Sequence, residues 1–360
     1  MNTEKLISSQ ENHFRKKRKL LKIFGIGLLF IAVLLITVVI NIATHPTLAV
    51  IAIQKIFYSH FLGRVPNSFE PVREPNIIMK KNGIWYRNDL KYDSTYPNSY
   101  LDISYPDKNI SVKRPTVLYI HGGGFFAGSK YDGDPLAIGT KVCNSLFDEI
   151  VLKGYNLVNI DYALAPEYHY PVPLIQLNQA IHFVKQHSKE LGLDMKNVVI
   201  MGGSAGAVMT AQYGLIVTQK NYASALGIEP AISQDQIKAL VIDDGPLKTK
   251  WMNWGTAAMI KNYFGTNDLD GEQGKQFDVA SYVDGSYIPS FLGAGNTGSY
   301  SRDMQHLYRT LQEKDVDTEY YYRDQTYGEL GHGFLIQSTS NQYAKEYFEQ
   351  IMAFVGRHIE

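Results

Sequence analysis

From residue 76 onward, apolar and polar positions alternate between two periods. Short β-branched and apolar runs recur at Pro115–Ile120 (PTVLYI), Tyr155–Ile160 (YNLVNI), Val198–Met201 (VVIM), Ile237–Ile242 and Pro289–Leu292. Such runs predict strands buried on both faces. Gly83–Tyr92, Tyr100–Tyr105 and Thr318–Tyr322 complete a set of predicted strands. Between them lie stretches with helical spacing: Leu136–Leu152, Leu174–Leu191, the run after Gly206, Arg302–Glu313 and Gln342–Ile359. Strands separated by helices predict a mostly parallel sheet with helices on both faces, an α/β fold in a single domain over 76–360. In such sheets ligands sit at the carboxyl ends of the strands, so strand-end residues are the first candidates for chemistry.

The N-terminal pattern differs. Ile23–Ile42 carries no charge, about 20 apolar residues and long enough as a helix to cross a bilayer. The basic cluster Arg15–Lys19 precedes it. The positive-inside rule then predicts a cytoplasmic tail over 1–22, a transmembrane anchor over 23–44 and an extracellular domain beyond it, single-pass in the cell membrane. A cleaved signal peptide is the rival reading. Residues 45–75 read as a stalk and linker, with Val50–Leu62 a candidate interfacial helix.

Net charge is zero, so nucleic acid is not implied as a partner. The single cysteine, Cys143, excludes an intrachain disulfide or a multi-cysteine metal site, and its apolar surroundings predict an inert thiol.

Three strand ends carry glycine-rich motifs. Val198–Met201 runs into Gly202-Gly203-Ser204-Ala205-Gly206 and then a helix, a strand–turn–helix with a G-x-S-x-G core. That turn lifts a serine hydroxyl above the sheet at a helix N-terminus, which makes Ser204 a candidate nucleophile. His121-Gly122-Gly123-Gly124-Phe125 follows the PTVLYI strand. An HGGG loop there supplies part of an oxyanion hole whose other donor is the amide after the nucleophile, here Ala205. Gly331-His332-Gly333-Phe334 follows the last strand and places His332 as the candidate base. The segment Gly293–Gly298 also matches G-x-G-x-x-G, but at the end of the sheet rather than in its first unit, which argues against a dinucleotide site.

Together HGGGF, DYALAPE (Asp161–Glu167), GGSAG and GHGF resemble the hormone-sensitive-lipase-like group of α/β-hydrolase esterases and lipases, over residues 80–358. The resemblance implies the α/β-hydrolase fold with an eight-stranded sheet, and a Ser–His–acid triad. It also implies hydrolysis of carboxylic esters without metal or cofactor; the expected substrates are short to medium acyl esters, small or polymer-linked. Gly123 and Gly124 amides would join Ala205 in the oxyanion hole. Asp161 and Glu167 would support the loops. The family places its acid after the seventh strand, and there the ungapped register puts Asn296. An asparagine can orient a histidine but cannot stabilise its imidazolium. Asp303 is the first substitute, with Asp324 and Glu329 behind it, while Asp243-Asp244 reads as a structural pair. Residues 245–288 form a long connection that predicts a cap. Trp251 and Trp254 from it, with Phe125 and Phe126, are candidate pocket residues. A deacetylase or peptidase on the same fold, or a catalytically weak binding protein, are the alternative readings.

Overall fold

The computed structural model describes residues 46–57, 65–71, 74–79, 83–131, 133, 135 and 143–359. Two compact units divide the chain, Met1–Ala52 and Ile53–Glu360. Of the first unit only 46–52 are described, the opening of helix α1 (Pro46–Phe57).

The second unit is built on one sheet. Its strands are β1 (Ile77–Met79), β2 (Trp85–Lys91), β3 (Tyr100–Tyr105), β4 (Pro115–Ile120), β5 (Asn156–Ile160), β6 (Asp194–Gly203), β7 (Ile237–Asp243), β8 (Ser290–Gly293) and β9 (Thr318–Tyr321). They lie in the order β1-β2-β3-β5-β4-β6-β7-β8-β9. The first three and the β3–β5 pair are antiparallel, and every later pair is parallel. The sheet therefore has nine strands where eight were expected. The extra one is three residues long and pairs with β2 at the sheet edge, too short to leave a periodic signal.

The interior strands are the uninterrupted apolar runs of the sequence, because both of their faces are covered. All five residues of β5 are buried, and five of the six in β4. The covering helices include α2 (Cys143–Leu152), α3 (Val172–Gln186), α4 (Ala205–Thr218), α5 (Trp254–Phe264), α6 (Ser301–Glu313) and α7 (Gln342–His358). Residues 205–216 of α4 are all buried, so this helix is covered on every side. By contrast α6 and α7 bury one stripe each: Met304, Leu307 and Leu311 on α6, and Ala344, Tyr347, Phe348, Ile351, Phe354 and Val355 on α7.

The expected transmembrane helix over 23–44 and the tail before it lie outside the described residues. Among the described residues no helix is long and apolar enough to cross a membrane. The architecture is corrected accordingly: the single-pass anchor, the membrane as partner and the cell-surface location are not supported. What stands is the α/β-hydrolase domain with its mostly parallel sheet.

Candidate active site

The turn from β6 to α4 is built around backbone contact. A Cβ on Gly206 would overlap the Ile120 carbonyl oxygen at the end of β4, and one on Gly202 would overlap the Gly206 carbonyl. Only glycine lets α4 start this close to the sheet. Between them Ser204 adopts φ 56°, ψ −118°, a strained conformation for a residue with a side chain. Its amide donates to Asp243 O at 2.8 Å, and its carbonyl accepts from Val208 N in the first turn of α4. The hydroxyl is thereby held above the sheet, with Ser204 Oγ 3.0 Å from His332 Nε2.

His332 sits in the loop after β9. Its other ring nitrogen, Nδ1, lies 3.1 Å from Asp244 Oδ2, and the Asp244 side chain is 1% exposed. A buried carboxylate needs compensation. Here Asp244 Oδ1 accepts from Tyr300 N at 2.7 Å, and Oδ2 accepts from Gly333 N at 3.1 Å. A carboxylate beside Nδ1 favours the Nδ1–H tautomer, which leaves the Nε2 lone pair for Ser204. Asp244 follows β7, at φ 54°, while its neighbour Asp243 accepts from Tyr347 OH at 3.0 Å. The two aspartates of the pair therefore diverge. Asp243 braces the sheet against α7, and Asp244 faces the histidine.

The other carboxamide and carboxylates considered for the acid position are occupied elsewhere. Asn296 Nδ2 donates to the carbonyls of Arg323, Asp324 and Gly328 at 2.9–3.1 Å, and its Oδ1 accepts from Leu330 N. It pins the segment that leads into the histidine loop. Asp303, near the start of α6, accepts from Leu247 N and Lys248 N and so fixes the chain leaving Asp244. Burial pushes its carboxyl up to about 6, against the lowering effect of those two amides. Asp324 caps a short turn through Thr326, whose hydroxyl and amide hold the carboxylate below its ordinary range. Glu329 is exposed.

The HGGGF segment reverses sharply after β4. Gly123, Gly124 and Phe125 all have positive φ (100°, 60° and 65°), and the Phe126 and Ala127 amides both donate to Gly123 O. Among the described residues no acceptor takes the amide of Gly123, Gly124 or Ala205. Successive amides left open in this conformation form a concavity suited to an anionic oxygen. The loop is braced from behind. Asp161 accepts from Lys130 N at 2.6 Å and lies 3.6 Å from His121 Nε2. Tyr162 stacks on His121 and donates to its carbonyl at 3.0 Å. Glu167 accepts from Asn67 Nδ2. Gln54, on α1, donates from one carboxamide nitrogen to Phe126 O at 2.8 Å and to Ala165 O at 2.9 Å. Nothing in the sequence around Gln54 marks it out; only the fold brings it to this loop.

The insertion between β7 and β8 supplies α5. Three residues on one face of this helix meet the site: Thr256, Met259 and Tyr263. A Cβ on Gly124 would lie 2.7 Å from Met259 Sδ, and Tyr263 stacks on Phe125 with ring centroids 3.6 Å apart. Thr256 Oγ1 is 3.1 Å from Tyr300 OH, and the Tyr300 ring meets His332 edge to face at 5.2 Å. Of the expected pocket residues, Phe125 and Phe126 are buried, 1% and 5% exposed. Trp251 is held by Arg302 and His306 of α6, and Trp254, at the start of α5, is 60% exposed. Thr256, Met259 and Tyr300, which the sequence reading did not single out, sit beside the array instead.

Comparisons with known proteins bear on the family and the fold. The BD-FAE family profile matches residues 101–302, which takes in the glycine loop, the serine turn, Asp244 and Tyr300. Esterase LipI of Mycobacterium tuberculosis is 35% identical over 104 residues, 28% of this chain and 28% of that esterase. The chain thus spans little more than a quarter of the length of that curated relative. Among solved structures, esterase B from Lactobacillus rhamnosis superposes with a TM-score of 0.67 at 18% identity, covering 86% of this chain and 95% of that one. The Pyrobaculum calidifontis esterase superposes with a TM-score of 0.58 at 18% identity, over 80% of this chain and 89% of that one. At these identities the structural likeness speaks for the α/β-hydrolase fold.

Proposed function

Since the chain belongs to the BD-FAE family, we propose that it is a serine hydrolase of carboxylic esters in which Ser204, His332 and Asp244 form the catalytic array. The observation that carries the proposal is the pair of contacts on one imidazole, 3.0 Å to Ser204 Oγ and 3.1 Å to Asp244 Oδ2. Ser204 gives its proton to His332 Nε2 as its oxygen attacks the ester carbonyl. Asp244 stabilises the imidazolium and fixes the tautomer. The amides of Gly123, Gly124 and Ala205 receive the oxyanion of the tetrahedral intermediate, the contribution that is usually largest. The intermediate collapses as His332 returns the proton to the leaving alcohol. Water, deprotonated by the same histidine, then attacks the acyl-serine and releases the acid.

Asn296 was the reason to consider a disarmed, binding-only protein, and a carboxylate at Asp244 removes that reason. The HGGG loop favours esters over peptides. The esterase names of the relatives support esters as the substrate class, and short to medium acyl chains remain the proposed substrates.

The test is hydrolysis of p-nitrophenyl acetate, butyrate and octanoate by the full-length protein, with Ser204→Ala and Asp244→Asn alongside. Ser204→Ala is expected to abolish turnover. Asp244→Asn is expected to lower kcat by about 10³–10⁴-fold with little change in KM, as an amide at this place favours the wrong tautomer. An Asp244→Asn enzyme within tenfold of wild type would remove Asp244 from the array. A wild type no faster than Ser204→Ala would remove the esterase reading.

A further inference from the structure

We propose that Tyr300 is a positioning residue that ties the insertion helix α5 to the catalytic array, so that the seating of α5 on the oxyanion loop and the alignment of His332 are set together. The inference rests on the esterase reading above and deepens it.

One residue makes three contacts to three parts of the site. Its main-chain N–H donates to Asp244 Oδ1 at 2.7 Å. Its ring meets the His332 ring at 5.2 Å and 88°. Its hydroxyl lies 3.1 Å from Thr256 Oγ1 on α5. The main-chain contact needs no particular side chain, and the ring contact needs only an aromatic. The hydroxyl is what a tyrosine adds, and it reaches across to the insertion.

The other end of the same helical face touches the opposite wall. Met259 lies against Gly124 and Tyr263 stacks on Phe125, both in the glycine loop. Spacings of three and four residues put Thr256, Met259 and Tyr263 on one side of α5. A tilt of α5 is therefore felt at the oxyanion loop through Met259 and Tyr263, and at His332 through Thr256 and Tyr300. Both walls move with one rigid element. Catalysis depends on holding the nucleophile–base pair and the oxyanion donors in register at once, and a misplacement of about 1 Å is costly.

The experiment uses the full-length protein and four variants: Tyr300→Phe, Thr256→Val, the double variant and Tyr300→Ala. Three quantities are read: kcat and KM on p-nitrophenyl acetate and butyrate, the rate of Ser204 labelling by a fluorophosphonate, and the pH profile of kcat/KM. Tyr300→Phe and Thr256→Val should each lower kcat/KM about threefold to tenfold, the size of one neutral hydrogen bond. The double variant should be no slower than the worse single, because both remove the same link. The losses should fall on kcat with KM within twofold, the pH profile of Tyr300→Phe should match wild type, and Tyr300→Ala, which also loses the ring against His332, should be slower than Tyr300→Phe. Single variants within twofold of wild type, additive losses, or losses carried by KM alone would each overturn the proposal. Should Tyr300→Ala fail to fold, the Phe and Val cycle decides alone. A wild type that neither labels nor hydrolyses overturns the esterase reading and this inference with it. A wild type that does both, with a null cycle, overturns the role of Tyr300 only.

Discussion

Asn296 and Leu330 are joined twice: Leu330 N donates to Asn296 Oδ1 at 2.9 Å, and Asn296 N donates to Leu330 O at 2.7 Å. The same carboxamide gives its nitrogen to three more carbonyls, those of Arg323, Asp324 and Gly328. Family register places an acid here, and restoring one looks like a gain of function. The geometry says the reverse. Asn296→Asp keeps the acceptor and replaces a donor by a carboxylate oxygen that faces three carbonyl oxygens. The expected result is a loss of about 1–3 kcal/mol of stability, the cost of leaving such groups unpaired, with ester turnover lowered. Urea denaturation and p-nitrophenyl butyrate hydrolysis, run on the same preparation, check both halves. A variant more active than wild type would show that His332 can recruit an acid from this loop.

Much of this site was legible in the sequence because steric requirements leave marks there. Ser204, Gly202 and Gly206 stand out because a strand can turn into a helix at backbone contact only where two side chains are missing. Gly123 and Gly124 stand out because positive φ favours glycine. The proposed acid left no such mark. Asp244 needs only a strand end, and an aspartate after β7 reads the same whether it braces the sheet, as Asp243 does through Tyr347, or faces a histidine. Its identity depends on how the β9 loop folds back, which is a contact between residues 88 apart in the chain. Tyr300 and Gln54 were missed for the same reason. Each acts through contacts that neither periodicity nor a motif encodes. Trp251 misled in the opposite sense: an aromatic in an insertion suggests a pocket, but cation–π packing on Arg302 takes it to α6.

Asp303 makes stability depend on pH in a direction opposite to that of a paired surface carboxylate. Its folded pKa is about 6, raised from 3.8 chiefly by burial. Between those values the folded state holds a proton that the unfolded state has released, so the unfolded state gains as pH rises. The contribution of Asp303 is therefore fullest below pH 4, declines through pH 6, and is flat above. Raising the carboxyl from 3.8 to about 6 corresponds to about 3 kcal/mol. Asp303→Asn keeps an oxygen to accept from Leu247 N and Lys248 N and removes the titration. Chemical denaturation of both proteins from pH 4 to pH 7 should show wild type losing stability relative to Asp303→Asn across that range. Parallel curves would mean that Asp303 titrates alike in both states.

The helix before the α/β domain contributes to the oxyanion loop through Gln54. Its carboxamide nitrogen bridges Phe126 O and Ala165 O, and the Ala165 amide in turn donates to Phe125 O at 2.9 Å. The turn that aims the Gly123 and Gly124 amides is thus stitched to the DYALAPE segment from two sides. In the proposed mechanism those amides act most strongly on the tetrahedral oxyanion, so slackening the loop should lower kcat more than it raises KM. Gln54→Leu removes the two donors in a side chain of similar size. An about threefold to thirtyfold fall in kcat with KM within twofold is expected, the range of one or two lost hydrogen bonds. Gln54→Glu, which turns a carboxylate on two carbonyl oxygens, should be worse than Gln54→Leu. Truncation to residue 65, which removes α1 entirely, should match the poorer of the two. If Gln54→Glu and the truncated protein both keep wild-type kcat, the bridge is a packing detail and the glycine loop holds its shape unaided.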